Sequence, residues 1–184
     1  MSIQDSSPAR LRTHTTDLRS GRWLVDCVAS TATFRARDFA RRQVVGTFPV
    51  VAGHVDVAGR PVAAEAVLDV AGVATGIAKR DRDLRSRHFL DVAGYPTMVF
   101  TAADVEPGDR GTWTVAGTLL VRDVPCPVRL HVRLESLDDD CAVVVATTGL
   151  DRRDAGIRTA PGFVVSHRVG VEVRARLGAP APHE

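Results

Sequence analysis

Apolar residues recur at every second position along most of this chain. Between 112 and 122, Trp113, Val115, Leu119 and Val121 share one face, while Thr112, Thr114, Thr118 and Arg122 share the other. Val128, Leu130, Val132 and Leu134 alternate with Arg129, His131, Arg133 and Glu135; further on, Val169, Val171, Val173 and Leu177 alternate with Arg168, Glu172, Arg174 and Arg176. A period of two predicts strands with one dry and one wet face. Weaker versions at 22–36, 44–57, 62–72, 97–105 and 141–149 bring the total to about eight strands. Turn chemistry separates several of them: Ala58-Gly59-Arg60-Pro61, Pro107-Gly108-Asp109 and Asp138–Asp140. The predicted fold is all-β: a single antiparallel eight-stranded meander closed into a barrel, which also removes the edges that such valine-rich strands would expose.

One segment departs from the alternation. Lys79–Gly94 is charged and predicts a short helix between strands 3 and 4, with Asp81 and Asp83 suited to its positive end and Leu84 and Phe89 as apolar anchors. Pro96 fits the entry to the next strand. Residues 1–21, polar and without period, read as a flexible leader; 22–177 form the barrel domain; 178–184 (GAPAPHE) read as a disordered tail.

Composition narrows the function. The 184 residues are 45% hydrophobic and 25% charged, the mixture of one globular domain. A net charge of +2 and only 5% aromatic residues argue against a nucleic-acid partner. No apolar run reaches the ~18 residues of a membrane helix, and the polar start lacks a secretory h-region, so the expected compartment is the cytoplasm. The three cysteines (Cys27, Cys126, Cys141) show no metal spacing; they read as free thiols, with a Cys126–Cys141 disulfide as the competing arrangement.

Catalytic chemistry is not visible. The six histidines are scattered, and there is no nucleophile elbow, phosphate loop, dinucleotide fingerprint or metal motif; no catalytic residue, metal or cofactor is expected. His131 sits on a wet face, whereas His167 is in phase with an apolar row. Arg80, Arg82, Arg85 and Arg87 interleave with Asp81 and Asp83. That cluster either neutralises itself on the surface, with Arg80 and Asp81 tying the segment to the barrel mouth, or offers a guanidinium to an anionic head group.

The stretch ATGIAKRDRDLRSRHFLDVAGYPTMVF (74–100) resembles the signature of the YceI-like family of lipocalin-like, polyisoprenoid-binding proteins. The matching positions are Thr75-Gly76, Arg80-Asp81, Leu84-Arg85-Ser86, Phe89, Asp91, Tyr95-Pro96 and Phe100. Family-like pieces stand in order around it: WLVD at 23–26, VVGTF at 44–48, VAGTLLVRDVPCPVRL at 115–130 and RRDAGI at 152–157. The chain departs from the usual pattern at Ala29, at Asp38, at Asp123 (where the family usually has glycine) and at Ala155. The resemblance implies a lipocalin-like barrel and a polyisoprenoid or isoprenoid-quinone-like chain as ligand.

Phe34, Phe48, Leu68, Phe89, Phe100, Leu119, Leu130, Val145 and Val171 are the residues expected to line the interior. Arg80, Arg85 and His167 are the rim candidates. An apolar chain offers no hydrogen bonds, so burial at ~0.8 kcal/mol per methylene must supply both the ~8 kcal/mol of a micromolar complex and at least ~4 kcal/mol of association cost. Roughly 15 buried carbons are then needed, which requires a tunnel. The expected partner is a hydrophobic small molecule, with no nucleic acid and no membrane-spanning segment, and a homodimer stays open. The competing readings are a small enzyme using His167 or His88 at the barrel mouth and a ligand-free interaction barrel with a filled interior.

Overall fold

The computed structural model describes residues 18–38, 40, 42–158 and 166–180. Nine strands and one helix follow in order: β1 (Gly21–Val25), β2 (Thr31–Arg37), β3 (Gln43–Val57), β4 (Pro61–Asp69), α1 (Ala78–Arg85), β5 (Thr97–Pro107), β6 (Thr112–Val121), β7 (Val124–Leu137), β8 (Cys141–Asp151) and β9 (Arg168–Gly178). Every pairing is antiparallel. Both β1 and β2 pair with β3 on one side and β9 on the other, so together they form one interrupted stave. The barrel therefore closes with eight staves, and α1 lies between the third and fourth, as the alternation predicts.

The interruption has a local cause. Asp26 Oδ1 accepts the N–H groups of Val28 and Ala29, a turn that lifts five residues out of the ladder. Ser30 is buried, and its hydroxyl accepts the Arg176 N–H that would otherwise lack a strand partner. Bulges in the β3–β4, β5–β6 and β7–β8 pairings bend the long strands around the axis.

Two packed clusters sit at the ends of the barrel, and a third, Ala102, Val105 and Val115, packs against Phe100, Trp113, Leu130 and Val132 between β5, β6 and β7. At one end, Val70, Val73, Leu84, Phe89 and Leu90 from the α1 region pack on Val121, Cys126, Ala155 and Ile157. Leu84 is the one buried residue of α1, and its transfer from water contributes about 2 kcal/mol. The helix has no side-chain N-cap and only eight residues, so this anchor matters more than intrinsic propensity. At the other end, Leu18, Trp23, Val57, Ala142 and Leu177 close the barrel, with Trp23 Nε1 donating to the Arg19 carbonyl at 2.8 Å.

Two boundaries differ from expectation. Residues 18–21, expected as leader, pack on the barrel because Leu18 has a pocket beside Trp23 to fill; the remainder of the expected leader lies outside the described residues. Gly178, expected in the tail, ends β9, paired with both Leu24 and Cys141. All three cysteines are free: Cys126 lies at the helix end of β7 and Cys141 at the far end of β8, so a bridge between them is excluded.

Candidate functional site

Inside the barrel, two lobes abut along the axis. The lobe beneath α1 holds about 120 Å³ and the one toward Trp23 about 170 Å³. Alternation builds both. Each inward side chain comes from every second residue of its strand, and many of these residues are small, so eight staves enclose space that is not filled.

Of the residues named from sequence, Phe34, Phe48, Leu68, Phe89, Leu119 and Val171 lie on the wall of the helix-end lobe. Phe100 and Leu130 line the second lobe, which Leu68, Leu119 and Val171 also reach. Val145 is a correction: it faces away from the lumen, between Arg133 and Arg174 of the neighbouring strands, and the inward residues of β8 are Val144, Ala146, Thr148 and Leu150. The run of three valines at 143–145 hides the phase of that strand.

Apart from Thr33, Arg80 and Arg152, every described residue lining the helix-end lobe is apolar, and none is acidic. Arg80 is held by one residue. Its Nε donates to Thr75 Oγ1 at 2.8 Å and its Nη2 to the Thr75 carbonyl at 3.1 Å. The same threonine hydroxyl donates to Asp81, which also accepts the Thr75 N–H at 2.8 Å. Thr75, Arg80 and Asp81 thus knot the start of α1 to the strand-connecting loop, and Arg80 lines the lobe with its apolar stem. Among the described residues Arg80 forms no ion pair.

Arg152 was not singled out from sequence. It is only 4% exposed, follows β8, and staples the loop after that strand by donating to the carbonyls of Ile157 (2.6 Å) and Ser166 (3.3 Å) and to His167 Nδ1 (3.3 Å). Its signal was the RRDAGI segment, which alternation cannot interpret because it lies between strands. The other two rim candidates stand apart from the lumen wall. Arg85 donates to the carbonyls of Ala71 and Val73, both at 2.7 Å, and so pins the β4–α1 loop; His167 is exposed and reaches the lobe only through Arg152. His88 and His131 are exposed as well.

Burial pushes the Cys126 thiol upward, with Asp154 adding to the shift, which suppresses its thiolate. Among the described residues no group of three His, Cys, Asp or Glu converges on a metal position, and no helix is long and apolar enough to cross a membrane.

An antiparallel barrel, closed on itself and hollow along its axis, with one helix over one mouth, belongs to the class of β-barrels built around an internal apolar pocket. This chain belongs to the YceI-like family: the YceI-like domain matches residues 23–177. Protein YceI of Escherichia coli is 32% identical over 110 residues, covering 58% of this chain and 57% of that protein. A UPF0312 protein of Yersinia enterocolitica is 36% identical over 74 residues, covering 40% of this chain and 38% of the relative, so the chain aligns with about two-fifths to three-fifths of the length of these relatives. Among solved structures, a polyisoprenoid binding domain from Saccharophagus degradans superposes with a TM-score of 0.72 at 21% identity, over 86% of this chain and 98% of that one. Burkholderia cenocepacia BcnA gives 0.73 at 16% identity, over 83% and 98%. At these identities the likeness is one of fold.

Proposed function

We propose that this protein is a non-catalytic carrier that holds one long apolar chain, of polyisoprenoid or isoprenoid-quinone type, along the barrel axis, with its head toward Arg80 and Arg152. The observation that carries this reading is the pair of abutting lobes with an almost wholly apolar lining. At ~10–15 Å³ per water-sized site they offer roughly ten and fourteen positions. Together they exceed the ~15 buried carbons a micromolar complex requires, whereas neither lobe alone reaches that number. The ligand class draws its support from the Saccharophagus degradans neighbour, itself a polyisoprenoid binding domain.

The two arginines suit a polar or anionic head, since guanidinium groups grip phosphate and carboxylate through paired N–H bonds. The free thiols support a reducing compartment, consistent with a cytoplasmic carrier. The test is extraction of the purified protein with organic solvent and mass spectrometry of the extract. One long chain per protein is the expected result. A protein that arrives empty, and takes up no geranylgeraniol when offered it, overturns the reading.

A further inference from the structure

Four side chains belong to the linings of both lobes: Leu68 on β4, Leu119 on β6, Leu150 on β8 and Val171 on β9. Three of them come from alternate strands, the arrangement by which inward residues of a barrel stack in layers across its axis. On either side of this layer the two lobes keep separate linings, mixing large side chains (Phe34, Phe48 and Phe89; Phe100, Trp113 and Leu130) with alanines that leave room. Ala32 and Ala36 stand on the helix side, and Ala64, Ala66 and Ala146 on the other. The two lobes thus meet at these four side chains, and the passage from one to the other is bounded by branched aliphatic groups with rotatable side chains.

We infer that this layer is a chain-length gauge, an assignment that rests on the carrier reading above. A short chain fills one lobe and leaves the layer shut. A longer chain parts the four side chains and gains the second lobe, so its affinity rises at about fourfold for each further methylene removed from water. Length selectivity is then set by Leu119 and Leu150, whose bulk determines whether the second lobe is reached, rather than by the head-group end.

Geraniol, farnesol and geranylgeraniol, neutral prenyl alcohols of increasing length, separate the possibilities by fluorescence displacement from the full chain. Wild type should bind farnesol at least about tenfold tighter than geraniol, the gain of roughly two methylenes at about fourfold each once the layer has parted. Leu150→Phe should erase that step, so that farnesol binds no more tightly than geraniol to the same variant. Val171→Leu, a milder filling of the same layer, should reduce the step in a protein whose fold is disturbed less. Equal weakening of all three alcohols, or none, in a variant that melts cooperatively overturns the gauge. Wild type that binds none of the alcohols overturns the carrier reading instead.

Discussion

Gly46 carries a sharp test of how the helix-end lobe is kept open. It sits on β3 directly opposite Phe34 of β2, and the Phe34 ring lies over it. A Cβ at position 46 would stand 2.4 Å from Phe34 Cζ and 2.7 Å from Thr75 Cγ2. Ordinary carbon contacts lie near ~3.5–4.0 Å, so the ring must move by about 1 Å. Thr75 cannot give way without breaking the knot to Arg80 and Asp81. The ring is left with one direction, away from the wall and into the lumen, at the expense of its contact with Phe48 at 5.3 Å. Overpacking of this kind costs about 1–3 kcal/mol. For a domain of this size that lowers Tm by roughly 5 °C. Thermal unfolding of Gly46→Ala, Phe34→Leu and the double variant forms a cycle, in which trimming the ring should recover the loss with a coupling of about 1 kcal/mol or more. Additive effects in that cycle would refute the claim that Gly46 is the seat of the Phe34 ring.

Two other perturbations follow from the same structure. The β6–β7 turn consists of Arg122 and Asp123, both left-handed at φ of 51° and 59°, between the paired Val121 and Val124. Glycine suits the second position of this turn type, so Asp123→Gly should stabilise by about 1 kcal/mol and raise Tm by about 2–4 °C; an unchanged or lower Tm would show that the Asp123 side chain contributes something the turn geometry does not. Four carboxyls among the described residues are held below their ordinary range: Asp26 chiefly by the Ala29 N–H, Asp38 by the Arg42 N–H and guanidinium against the opposing effect of burial, Asp56 by Arg22, and Asp151 by Arg153. Depressed folded values mean that their stabilisation is present above the unfolded value of about 3.9 and is lost as pH falls through the folded ones. Urea midpoints should therefore hold from neutral pH down to about 5 and drop below about 4, and a midpoint that rises on acidification would contradict the assignment.

Much of the barrel is legible in the sequence, for reasons that can be named. β6, β7 and β9 each place charged or hydroxyl side chains opposite an apolar row, so both strand and facing follow from period two. β8 does not, because Val143, Val144 and Val145 are alike; the strand was expected, but Val145 was assigned to the wrong face. The break between β1 and β2 was equally hidden, since Asp26 and Ser30 act through single hydrogen bonds that no periodicity records. At the site, the family-like stretch marks Thr75, Arg80 and Asp81, but not that a single threonine hydroxyl joins the other two. Arg152 lay beyond reach because burial of an arginine outside a strand depends on carbonyls brought together only by the closed loop.

The seam between the beginning and the end of the chain has a temporal meaning. Leu24 and Val25 bond to Gly178 and Leu177, and Phe34 faces Val171, across nearly the whole length of the polypeptide. Such distant partners meet late and slowly. A growing chain therefore presents its oily inner wall as an open trough until its final strand leaves the ribosome, and the container exists only from that moment on.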